Sequence, residues 1–195
     1  MGDSMIDLVS KAVVFSAGAH DGMRRRKSDA PYILHPMEVA SIVGSMTDNQ
    51  EVIAAGLLHD VVEDAGISIE EVGEKFGERV KELVASETEN KREGLPPEET
   101  WLVRKEESLE RLKGSDDVDV LILWLSDKLS NVRAFYRTFL VEGEALWNSF
   151  HQSDASVQAW YYRSVLKYTE RLSDTLAYKE YKTLVEKLFG VEEKI

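Results

Sequence analysis

Val52-Ile53-Ala54-Ala55-Gly56-Leu57-Leu58-His59-Asp60-Val61-Val62-Glu63-Asp64-Ala65-Gly66 is the stretch on which the fold turns. Val52, Ala55, Leu58 and Val62 recur every three or four residues, the spacing of one buried helical stripe. Asp48-Asn49-Gln50-Glu51 ahead of it reads as a capping box, and Gly66 behind it as a helix stop. The same grammar extends in both directions. Upstream, Leu8, Ala12, Phe15 and Ala19 predict an amphipathic helix ending near Gly22. A polar connection over residues 23–34 follows, and then a helix through Val39, Ile42 and Val43 toward Met46, with Pro36 in its first turn. Downstream, Ser68-Ile69-Glu70-Glu71 caps a short helix to Phe76, and Gly77 separates it from residues 78–88. Residues 89–97 read as a surface loop. Helical spacing resumes over residues 98–113, 117–140, 143–150, 154–176 and 178–189, with Ser115 or Asp116 and Asp154 as N-caps. Alternation of β-branched residues is hardly visible, so the fold class is all-α.

With 195 residues, 43% of them apolar, the chain is long enough for one good core and short for two ordinary domains. The expectation is a single domain over 1–195, with a motif-bearing core at about 10–135 and helices 136–195 packing on it. A charge of -12, from 36 acids and 24 bases, argues against nucleic acid as a partner. No window reaches the roughly 18 apolar residues of a membrane span, and no signal peptide opens the chain. A cytoplasmic protein is expected, with self-association left open. The absence of cysteine removes thiolate nucleophiles and Cys-ligated metals, so a metal site must use His, Asp and Glu.

Three groups of residues break local rules. On a continuous helix, His59 and Glu63, and Asp60 and Asp64, stand at i,i+4, placing four polar groups at the end of an apolar element. Glu63 and Asp64 then lie where the helix dipole disfavours anions, and the alternative is a solvated acidic end. His35 precedes Pro36, which favours an extended backbone at a stiff joint. Asp127 follows Val120-Leu121-Ile122-Leu123-Trp124-Leu125 in a helix expected to be buried around much of its circumference, where a carboxylate needs a cation. Lys128 points about 100° away on the helix and reads as a poor partner for it.

Pro-Tyr-Ile-x-His-Pro at 31–36, His-Asp-x-x-Glu-Asp at 59–64 and Asp-Lys-Leu-x-Asn-x-Arg at 127–133 together resemble the HD-domain metal-dependent phosphohydrolases. Within these, the chain is similar to the RelA/SpoT-type alarmone hydrolases and their small stand-alone members. The resemblance implies that His35, His59, Asp60 and Asp127 hold one divalent ion, usually Mn2+ in that branch. It gives Glu63 and Asp64 the catalytic acid–base role. It implies nucleotide contacts for Arg24, Arg25, Arg26, Lys27 and Ser28, and for Asn131; Arg133 is either a phosphate contact or a structural ion pair. The implied activity is removal of the 3′-pyrophosphate of a guanosine alarmone. The alternatives are a nucleotidase or NADPH phosphatase on the same centre, or a nucleotide sensor without turnover. Asp29-Ala30 and Ala134 depart from the family's usual residues and bear on guanine specificity. His20 has no partner pattern and reads as helix-end surface or loop support. The aromatic residues beyond 135 read as core rather than as base-stacking platforms.

Overall fold

The computed structural model describes residues 7–25, 29–92 and 94–191. Among them the structure is helical, with one isolated antiparallel bridge between Arg24 and Pro31. The chain forms two compact units, Met1–Thr88 and Glu89–Ile195.

The first unit contains α1 (Leu8–Ala19), α2 (Leu34–Gly44), α3 (Gln50–Leu58), α4 (Val61–Ala65), α5 (Ile69–Phe76) and α6 (Glu78–Glu87). Ser68 caps as the sequence predicts, accepting from the Glu71 N–H at 3.1 Å; at α3 the cap is Asn49, one residue after the start of the expected box, accepting from the Glu51 N–H at 3.0 Å. Gly66 closes α4 in the left-handed conformation, at φ 69°. Helix α3 lies at the centre, packed by α1, α2 and α6, with Val52, Ala55 and Leu58 fully buried. Gly56 sets the closeness of α2, because a Cβ there would lie 3.2 Å from the Ala40 Cα and 3.3 Å from a Val43 methyl. That approach draws the polar ends of α2 and α3 together.

Two expectations in this unit are corrected. His35 is helical rather than extended: its N–H bonds to the Tyr32 carbonyl at 2.9 Å, and α2 begins at Leu34. A turn at Pro31–His35 runs straight into the helix, and burial of His35 overrides the bias imposed by Pro36. The stretch 52–65 is likewise not one helix. It breaks at His59-Asp60, with Asp60 at φ -95°, ψ -5°, before the five-residue α4. In so short a helix the first and last turns coincide, so the dipole argument against Glu63 and Asp64 does not apply.

The second unit comprises α7 (Pro97–Lys113), α8 (Val118–Glu142), a 3-10 segment (Gly143–Ser149), α9 (Ala155–Tyr168), a 3-10 turn (Glu170–Leu172) and α10 (Leu176–Phe189). Helix α8 is flanked by α9, α10 and the 3-10 segment, and every residue from Leu121 to Ser130 is buried. Trp147, Tyr161, Tyr162 and Tyr181 are core, as expected, whereas Trp160 is exposed. Phe135 meets Phe150 and Tyr162 edge-on at 4.9 and 5.7 Å, and Trp147 stacks on Phe189 at 5.0 Å. Asp117, one residue later than predicted, caps α8 by accepting from the Asp119 N–H. The expected helix over 154–176 ends at Tyr168. Thr169 turns its hydroxyl back to the Val165 carbonyl at 2.8 Å, and Thr175 caps a new helix by accepting from the Tyr178 N–H.

Glu89 departs from the surface-loop reading. Its side chain is 8% exposed and accepts from Arg104 at 2.8 Å and from Lys105 at 2.6 Å. Burial acts to raise the pKa of the Glu89 carboxyl; Lys105, Lys128 and Arg104 outweigh it and hold it below the ordinary carboxylate value. A depressed carboxyl stabilises the fold above its unfolded pKa and loses that contribution as pH falls through the folded one. Glu89→Gln is expected to cost about 3 kcal/mol at neutral pH by leaving two cations underpaired. The difference from wild type should shrink in urea titrations repeated below about pH 4.5, the ordinary value for the group. A constant difference at all pH would remove the ion pairs as its cause.

Candidate metal centre

In the first unit the break after α3 and the first turn of α2 bring three polar side chains to one point. His59 Nε2 lies 3.0 Å from Asp60 Oδ2, and His35 Nε2 lies 3.5 Å from the same oxygen. The two imidazole rings meet edge-on at 5.1 Å. Both histidines are buried, at 2% and 4% exposure. His59 Nδ1 is 2.9 Å from the Gly56 carbonyl, an obligatory acceptor, so Nδ1 carries a hydrogen and Nε2 is the atom presented to Asp60. A lone pair and a carboxylate oxygen at 3.0 Å repel unless a cation or a proton lies between them. Donor atoms bonded at about 2.1 Å and set at right angles around one ion lie about 3 Å apart. Two imidazole nitrogens and a carboxylate oxygen at these separations fit a divalent cation.

Tyr32 joins the group. Its hydroxyl lies 2.7 Å from Asp60 Oδ2 and 2.9 Å from Asp64 Oδ2. Burial, with the Asp60 and Asp64 charges next, pushes the phenol far above its ordinary pKa, so it remains a hydrogen-bond donor. The sequence reading quoted Tyr32 within a motif and gave it no role. Glu63 is half-buried, and Asp64 is exposed. Arg24 donates to the Asp29 carbonyl at 3.0 Å, and the Arg25 guanidinium lies 5.6 Å from the centre of the Tyr32 ring. The remaining residues expected to contact nucleotide in this segment, Arg26, Lys27 and Ser28, lie outside the described residues.

In the second unit, Asp127 is buried on α8, as its surroundings require. Asn131, one turn on, donates to its Oδ1 at 2.8 Å. Lys128 is its ion-pair partner at Oδ2, which corrects the expectation drawn from helix angles. The long lysine stem bends back, and its ammonium rests 4.7 Å over the Trp124 ring. Arg133 forms a two-point ion pair with Glu180 of α10, through Nε at 2.7 Å and Nη2 at 2.6 Å, which is a structural use of its guanidinium.

The family model described as HD domain matches residues 12–150. A GTP pyrophosphokinase of Myxococcus xanthus is 34% identical over 133 residues, covering 67% of this chain and 17% of the relative. A guanosine-3′,5′-bis(diphosphate) 3′-pyrophosphohydrolase of Aquifex aeolicus is 36% identical over 128 residues, covering 66% of this chain and 18% of the relative. The chain thus spans less than a fifth of the length of these curated relatives. Among solved structures, the protein lmo0812 of Listeria monocytogenes is 31% identical with a TM-score of 0.70, over 80% of this chain and 99% of that one. A metazoan SpoT ortholog, described as hydrolysing ppGpp, is 22% identical with a TM-score of 0.74, over 97% of this chain and all of the other. That second likeness is one of fold. The family match runs through all three motifs and covers most of the chain: the protein belongs to the HD domain family.

Proposed function

We propose that the protein is a metal-dependent phosphohydrolase that removes the 3′-pyrophosphate of a guanosine alarmone, and that residues 1–195 act as one HD domain. The observation that carries this reading is the convergence of His35 Nε2, His59 Nε2 and Asp60 Oδ2, with Asp64 one tyrosine hydroxyl away. Asp127 completes the ligand set, by the motif it opens. A buried carboxylate on an apolar helix, oriented by Asn131 and Lys128, suits that task. The Aquifex relative, named a guanosine-3′,5′-bis(diphosphate) 3′-pyrophosphohydrolase, supports the choice of substrate. The ion this reading implies is Mn2+, the usual one in the branch that the motifs resemble.

A bound divalent ion lowers the pKa of a water molecule toward neutrality and polarises a phosphoryl oxygen. His35, His59, Asp60 and Asp127 bind and orient it, with the Gly56 carbonyl fixing the His59 tautomer. One of the pair Glu63 and Asp64 receives the proton of the attacking water as its oxygen bonds to phosphorus. The same carboxyl returns the proton to the 3′-oxygen as the bond between that oxygen and phosphorus breaks and pyrophosphate leaves. The substrate's charges oppose the protein's own, so Arg24, Arg25, Arg26 and Lys27 supply the local positive potential, Ser28 and Asn131 add polar contacts, and Arg133 stays in its ion pair.

The test is Mn2+-loaded protein incubated with guanosine 3′,5′-bis(diphosphate), NADPH and nucleoside monophosphates. Metal-dependent release of pyrophosphate from the first is the expected result. Orthophosphate from NADPH or a monophosphate would move the activity to a phosphatase on the same centre. Turnover of none of them would overturn the reading.

A further inference from the structure

We infer that Tyr32 is a positioning residue of the hydrolytic site, its hydroxyl tying the ligand carboxylate of Asp60 to the proton-handling carboxylate of Asp64. The inference rests on the proposed function and concerns a residue to which that reading assigns nothing. A phenol has one hydrogen, and here both carboxylate oxygens stand within its reach, at 2.7 and 2.9 Å. The hydroxyl is therefore shared between them, so neither carboxylate can swing away without losing it to the other.

A tether works only if it is itself anchored, and Tyr32 is anchored on several sides. Its N–H bonds to the Met23 carbonyl at 2.9 Å. The His20 ring covers one part of it at 5.0 Å and a 31° tilt, Arg25 lies at 5.6 Å, and the His35 ring meets it edge-on at 5.9 Å. His20 is buried at the end of α1, with Nδ1 3.0 Å from the Ser16 carbonyl. This gives the histidine without a sequence pattern a concrete use: it is loop support, and it supports this tyrosine. Nothing in a general packing role requires a hydroxyl at this point, since the ring contacts would serve a phenylalanine equally well. The hydroxyl adds only the link between the two carboxylates.

Tyr32→Phe keeps the ring and removes the link. Two readouts separate positioning from packing. Titration of metal-free protein with Mn2+ is expected to show affinity lowered roughly 10-fold or more, the usual cost of losing a group that orients a metal ligand. Turnover of the bis(diphosphate) by the Mn2+-saturated variant should show kcat lowered about 10-fold at unchanged KM. In an Asp64→Asn background the effect of Tyr32→Phe on kcat should shrink to within about a factor of two, because the group it positions no longer handles a proton. A folded Tyr32→Phe with wild-type affinity and wild-type kcat overturns the inference, and Tyr32→Met takes its place on the same readouts if the phenylalanine variant does not fold. Failure of the proposed function is visible in wild type alone, as no Mn2+ uptake or no turnover of any phosphate compound, and removes the inference with it.

Discussion

His59→Ala and Asp127→Ala are each expected to lose tightly bound metal and activity together. The two positions reach the same result by different routes. His59 supplies an imidazole whose tautomer is set by the Gly56 carbonyl, so its removal deletes a pre-oriented donor beside Asp60. Asp127 supplies a buried carboxylate already held at both oxygens by Lys128 and Asn131, and its removal deletes a charge. Losing even an orienting neighbour typically costs 10–100-fold in affinity, so losing a ligand should cost more than about 100-fold. Metal retained after gel filtration, measured by atomic emission, gives the first readout. The second is thermodynamic: an ion that binds only the folded state stabilises it by about 2.7 kcal/mol at 100 times its Kd. Added Mn2+ should therefore raise the melting temperature of wild type and leave both variants unmoved. Asp127→Asn, of equal volume, separates loss of the charge from a cavity around Lys128. Full metal content in either variant would remove that residue from the ligand set.

Asp127 and His35 of the proposed ligand set were legible because chemistry is written in residue type. An aspartate after six apolar residues and a histidine before a proline violate patterns that packing alone would obey, and the structure buries both Asp127 and His35. Helix identities were legible for the same reason: caps at Asn49, Ser68 and Asp154 are local hydrogen bonds, and local sequence specifies them. What escaped the sequence is long-range. The break at His59-Asp60 has no glycine or proline within residues 57–65 to mark it, and its Asp60 side chain faces imidazoles rather than capping α4. Glu89 lies in a polar stretch with every mark of a loop, and only the fold brings Arg104 and Lys105 back to it across fifteen or more residues. Lys128 was misread because helix angles describe where a side chain starts, while a four-carbon stem decides where its charge ends. Tyr32 carried a signal that went unused, being a phenol three residues before a metal-type histidine in a segment otherwise closed by proline.

Replacing both proposed proton carriers, by Glu63→Gln with Asp64→Asn, is expected to leave metal binding near wild type and to lower kcat by roughly 10²-fold or more, the scale of positioned acid–base groups. The amides keep the shape and hydrogen-bonding capacity of the acids and lose the ability to take up a proton at neutral pH. Neither residue is in the ligand set, so the Mn2+ stoichiometry of the double variant should remain one. The two acids are adjacent on α4 and therefore point about 100° apart, so they cannot occupy the same position relative to a reacting water. One single variant should consequently carry most of the loss. Asp64 is the one tied to Asp60 through Tyr32, at 2.9 Å from the hydroxyl, which makes it the group whose distance to the metal ligands is fixed. Asp64→Asn is thus expected to have the larger effect, and Glu63→Gln the smaller. Unchanged turnover of the double variant would take both residues out of the mechanism and return them to the status of a solvated helix end.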